Sequence, residues 1–127
     1  MEVSMLEVVL SSDEIIRGLK HYRRIAKQDL LRAQETQNPL IFSKHAEIRR
    51  EIYGTLSNFA ETLSPEEVAT QALEMYQNLP FVTGTAKDEN IDVKARENAL
   101  ENFFIMIGLS PKLRREARSK RPSLATA

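Results

Sequence analysis

The sequence predicts an all-α fold: an antiparallel bundle of four main helices plus a short basic C-terminal helix. Apolar residues recur in steps of three and four through long stretches, the spacing that gathers side chains on one helical face. Serine and proline stand where helices must start, at Ser11, Ser64-Pro65 and Ser110-Pro111. No two segments make a convincing pair of strands. The length of 127 residues suits one domain, placed over 1–122, with 123–127 as a frayed tail.

Residues 1–10 are open between a short helix and an extended segment laid across the core. Ser11 to Glu14 then reads as a capping box, the serine hydroxyl accepting from the Glu14 amide and the Glu14 carboxylate reaching back. Ile15, Leu19, Tyr22, Ala26, Leu30 and Ala33 follow at helical spacing, and Asn38-Pro39 is expected to stop that helix. The second helix carries Ile41, His45, Ile48, Ile52, Leu56, Phe59 and Leu63 on one stripe. Gly54 lies inside it, which suggests close packing against a neighbouring helix.

Ser64-Pro65-Glu66-Glu67 combines an N-cap, a first-turn proline and a second capping box. Val68, Ala72, Tyr76 and Leu79 share a face, and Pro80 ends the run. A polar connection spans 81–89. The fourth helix starts near Asn90 or Asp92 and runs to Ile107, apolar almost all round from Leu100 onward. Gly108 suits the left-handed position after a helix, with Leu109 as its hydrophobic companion. Ser110 and Pro111 open the short last helix, which ends before Pro122. Ile48, Ile52, Leu56, Phe59, Leu100, Phe103 and Ile107 are the expected core.

Eighteen basic and eighteen acidic residues cancel, but they are segregated. From Arg17 to Arg50, nine bases face three acids, a net of +6. From Glu51 to Pro111, three bases face ten acids, a net of −7. From Lys112 to Arg121, six bases face only Glu116, a net of +5. Two clusters become candidate sites for an anion or a partner. Arg17, Lys20, Arg24 and Lys27 form a stripe on the first helix, expected to pair with acids of the third or fourth helix or to meet phosphates. Lys112, Arg114, Arg115, Arg118, Lys120 and Arg121 form the second cluster, which Gly108 and Pro111 allow to project from the bundle. No aromatic residue interleaves the stripe, so base stacking is not supported.

Most chemistry is missing. There is no cysteine, and the four glycines build neither a dinucleotide fingerprint nor a phosphate loop. His21 and His45 lie on different helices and would reach one metal only with a glutamate and antiparallel neighbours. His45 is expected half-buried, bonded to a backbone or tyrosine oxygen. Glu97 and Glu101 look like a solvated like-charge pair. No enzyme, metal or cofactor is expected. Absence of a long apolar run excludes a membrane-spanning helix, and absence of a leader pattern makes the cytoplasm the default.

Gly108-Leu109-Ser110-Pro111, with Arg114 beyond it and an apolar helix end before it, resembles the C-terminal end of some small terminase subunits of tailed phages. The resemblance covers about seven residues and implies a helical, oligomeric, DNA-binding protein. Composition and missing catalytic groups point instead to a non-enzymatic protein-interaction module, an oligomeric regulator or adaptor. Its partner would be another protein or a second copy. Apolar residues at Val8–Leu10, Leu40–Phe42 and Phe81–Val82 are surplus to a four-helix core and favour a homodimer. A nucleic-acid-binding accessory protein is the alternative.

Overall fold

The computed structural model describes residues 6–82 and 90–122. The expected tail 123–127, the first residues of the N-terminal segment and most of the 81–89 connection lie outside them. Five α-helices follow in order: α1 (Ser12–Leu31), α2 (Pro39–Thr62), α3 (Pro65–Gln77), α4 (Ile91–Met106) and α5 (Pro111–Ser119). The all-α expectation holds, with no strand among the described residues.

Local sequence sets most helix ends. At α1, Glu14 N donates to Ser11 Oγ at 3.2 Å, and Ser11 N donates to Glu14 Oε1 at 2.8 Å. The same reciprocal box opens α3 through Ser64 and Glu67. Ser110 Oγ accepts from Leu113 N and opens α5. At the end of α4, Leu109 N bonds Phe104 O and Gly108 N bonds Ile105 O, with Gly108 at φ +72°. That is the two-bond Schellman closure, and it needs a residue free to enter the left-handed region. Leu109 buries itself in the core as the accompanying contact.

One boundary differs from expectation. Asn38-Pro39 does not stop α1, which already ends at Leu31. A 3-10 turn over Ala33–Glu35 follows, closed by Thr36 Oγ1 donating to Ala33 O at 2.6 Å. Pro39 is instead the first residue of α2, where its missing N–H costs nothing. Chain reversal needs the residues between, and burial of Ala33 anchors them.

Neighbouring contacts give the helix directions. Tyr22 stacks on Tyr53 and Asp29 pairs with Arg49, so α1 and α2 are antiparallel. Arg96 reaches Glu51 and Asn102 reaches Tyr53, so α4 runs in the direction of α2. Helix α1 packs most extensively on α2, and α2 next on α4. One hydrophobic cluster takes residues from all five helices, including Ile15, Leu56, Val68, Phe103 and Ala117. The expected core residues are buried, except that Phe59 is only half-buried at the cluster's edge. Leu6, Val8 and Leu10 lie against this core in alternation, an extended segment rather than a helical turn. Val8 N donates to Glu66 Oε2 at 3.2 Å and ties that segment to α3.

Gly54 is not a point of close helix approach. A Cβ there would meet only the Arg23 guanidinium at 3.8 Å, ordinary contact distance. The tight approach is at Gly18, where a Cβ would collide with the Met106 sulfur of α4.

Candidate functional site

Helix α1 presents Arg17, Lys20, Arg24 and Lys27 to solvent, all exposed. The expected pairing with acids of the third or fourth helix does not occur. None of these four makes a hydrogen bond or ion pair among the described residues. The acids of α4 are engaged elsewhere, Asp92 with Arg96, Glu97 with Lys94 and Arg121 and Glu101 with Arg118, and Glu51 of α2 also meets Arg96. The stripe spans about 15 Å along the helix at about 1.5 Å per residue. Its cadence of three, four and three continues by four to Leu31, which is 72% exposed. Just beyond the reversal stand Leu40, 85% exposed, and Phe42, 49% exposed. Of the apolar segments expected to remain uncovered, this corner leaves both Leu40 and Phe42 exposed, whereas Val8–Leu10 turns only Val9 outward, at 94% exposed. Phe81 is instead roofed by Arg121 at 4.7 Å and Arg118 at 5.4 Å from its ring centre.

Beside the corner lies a cleft of about 600 Å³ lined by Ile41, Phe42, Ile91, His45 and Arg49. His45 departs from expectation: its partner is neither backbone nor tyrosine. Arg49 Nε donates to His45 Nδ1 at 2.9 Å, and Arg49 Nη2 reaches Asp29 Oδ2 at 3.0 Å. Nδ1 is therefore an acceptor, and the neutral ring carries its proton on Nε2. Burial, then the Arg49 charge, push the His45 pKa down, with Asp29 pulling the other way. The sequence could have flagged this, because Arg49 follows His45 by one helical turn. Asp29 could not be paired with them from spacing alone.

The C-terminal cluster does not project. Helix α5 packs against α3, and Arg121 is buried. Its Nε donates to Leu79 O at 3.1 Å, Nη2 to Pro80 O at 2.9 Å and Nη1 to Glu97 Oε2 at 2.6 Å. Tyr76 and Phe81 flank its guanidinium at 5.0 and 4.7 Å. Phe81 N also donates to Pro122 O at 2.7 Å. Arg121 is thus a clamp between the ends of α3 and α5, not a free cation for a partner. Arg118 pairs with Glu101 at 3.5 Å. Lys112, Arg114, Arg115 and Lys120 make no ion pair among the described residues.

Glu97 and Glu101 are not a solvated pair. Glu101 accepts from Tyr76 OH at 2.8 Å, and both carboxylates are half-buried. Burial first, then the Glu101 bond, hold the Tyr76 phenol above its ordinary range. His21 is exposed, and among the described residues no group of three His, Cys, Asp or Glu could hold a metal ion. No helix among them is long and apolar enough to cross a membrane. Comparison with protein-family models, curated proteins and solved structures finds no match for the chain.

Proposed function

We propose that this chain is a non-enzymatic helical interaction module that docks an acidic amphipathic segment of a partner protein along α1. The observation that carries this reading is one continuous register. Arg17, Lys20, Arg24 and Lys27 are exposed without ion pairs among the described residues, and the same spacing leads into exposed Leu31 and the Leu40–Phe42 corner. A ridge of unpaired cations steers and aligns an anionic partner, whereas apolar contact at its end supplies affinity. A helix with Glu or Asp at steps of three and four, ending in leucine or phenylalanine, complements both halves. A phosphate backbone would use the cations and leave the apolar corner unused, which favours protein over nucleic acid.

A synthetic peptide of that pattern and a short DNA duplex are the probes. Fluorescence anisotropy at roughly 50 and 200 mM salt separates them. The peptide should bind, and both Arg17→Glu/Arg24→Glu and Leu31→Ser/Leu40→Ser should weaken it. Duplex binding with a steep salt dependence, unmoved by the leucine changes, would transfer the function to nucleic acid. A dimer in light scattering that Leu31→Ser/Leu40→Ser dissolves would make a second copy the occupant. Absence of any binding, with a monomer throughout, would refute the reading.

A further inference from the structure

A second site lies between α4 and α5 and does not depend on the α1 reading. It is a cleft of about 330 Å³ into which Arg114, Arg115 and Arg118 converge from α5. Its single acid, Glu101, is already committed, because Oε2 accepts from Tyr76 OH at 2.8 Å and lies 3.5 Å from Arg118 Nη1. The cleft therefore keeps a positive excess held by Arg114 and Arg115. Its remaining wall is apolar: Phe104 and Pro111, with Ile105 60% exposed at the rim.

Arg114 adds an independent observation. Its Nε is closed to solvent and has no hydrogen-bond partner among the described residues. Buried donors in folded proteins are almost always satisfied, and an arginine N–H is a strong donor with no acceptor capacity of its own. The Arg114 guanidinium makes no hydrogen bond or ion pair among the described residues, so its outer N–H groups, beside two further guanidinium groups, are left to an anionic acceptor in the cleft.

We propose that this cleft binds a phosphate monoester, the phosphoryl group on Arg114 and Arg115 and the organic body against Ile105 and Pro111. A carboxylate matches one guanidinium fork, whereas a phosphoryl group offers three strong acceptor oxygens and a charge of about −1.5 to −2. Neighbouring arginines with Arg118 one turn on can share those oxygens. The exposed apolar rim gives the ester body a place that inorganic phosphate would not use. A free small phosphate ester and a phosphorylated side chain of a peptide present the same chemistry.

Titration of the full chain, followed by amide NMR, tests this with phenyl phosphate, inorganic phosphate, benzoate and a phosphotyrosine peptide. Phenyl phosphate should give saturable shifts at Ile105, Arg114 and Arg115, and should bind more tightly than inorganic phosphate or benzoate. Arg115→Gln, at an exposed position, should weaken binding about tenfold, and Arg114→Gln at least as much, with Arg114→Lys between. Tighter binding of the peptide would identify a phosphorylated side chain as the source, and equal binding a free ester. Benzoate binding equal to phenyl phosphate, affinity unchanged in Arg115→Gln, or no saturable shift at millimolar ligand would overturn the proposal.

Discussion

Arg121 and Glu97 form the most deeply buried ion pair among the described residues, with Nη1 2.6 Å from Oε2 and side-chain exposures of 0% and 14%. The pair converts the last basic residue of the C-terminal cluster into a fastener. The other two guanidinium nitrogens, Nε and Nη2, donate to the carbonyls of Leu79 and Pro80, just after α3.

Removing one partner of such a pair leaves an uncompensated buried charge. Arg121→Ala should therefore lower stability by about 3–5 kcal/mol in urea denaturation. The Glu97→Ala/Arg121→Ala double variant should lose less than the sum of the single losses. By contrast, Arg114→Gln/Arg115→Gln/Arg118→Gln should leave the melting temperature almost unchanged, because the Arg118–Glu101 pair is a surface pair. Equal damage from both sets would show that the segment is held by its helix rather than by Arg121.

Phe103 and Ile105 sit two positions apart on α4 and face opposite surroundings. Phe103 is fully buried and Ile105 lies at a rim. Phe103→Ala should cost about 3–5 kcal/mol, whereas Ile105→Ala should stay within about 0.5 kcal/mol. Chemical denaturation of the two variants side by side checks the rotation of α4 about its axis.

His45 makes stability depend on pH. Its folded pKa lies below the ordinary 6.5, so the unfolded chain takes up a proton first. The contribution is complete above the ordinary value and is lost as pH falls through the folded one. Protonation would also end acceptance of the Arg49 Nε–H. The melting temperature should fall between about pH 7 and pH 5, and His45→Gln should flatten that slope. Glu14, whose carboxyl is held low by its Ser11 bonds, acts only below that window. A slope identical in the variant would place the titrating group elsewhere.

The glycines separate propensity from geometry. Gly54→Ala should stabilise α2 by about 0.5–1 kcal/mol, since its Cβ meets only ordinary contact. Gly108→Ala should destabilise despite open space around it, because its φ of +72° disfavours any side chain. Thermal melts of both variants decide the signs.

The sequence by itself determined the helices and most of their ends. Capping boxes at Ser11 and Ser64, the Ser110 cap and the Gly108 closure are made by residues within one or two turns of each other. Such interactions are readable because the partners are neighbours along the chain. It also determined where charge accumulates, but not which charges stay free. Arg121 and Glu97 are 24 residues apart, and Asp29 and Arg49 are 20 apart. Only packing brings such groups within hydrogen-bond distance, and several candidates compete for each carboxylate. The tertiary structure therefore decided that Arg121 is a clamp, that Glu97 and Glu101 are partnered, and that the α1 stripe is left unpaired. It also ended α1 at Leu31, because burial of Ala33 in the reversal outweighs the helical spacing that would have carried α1 on to Asn38.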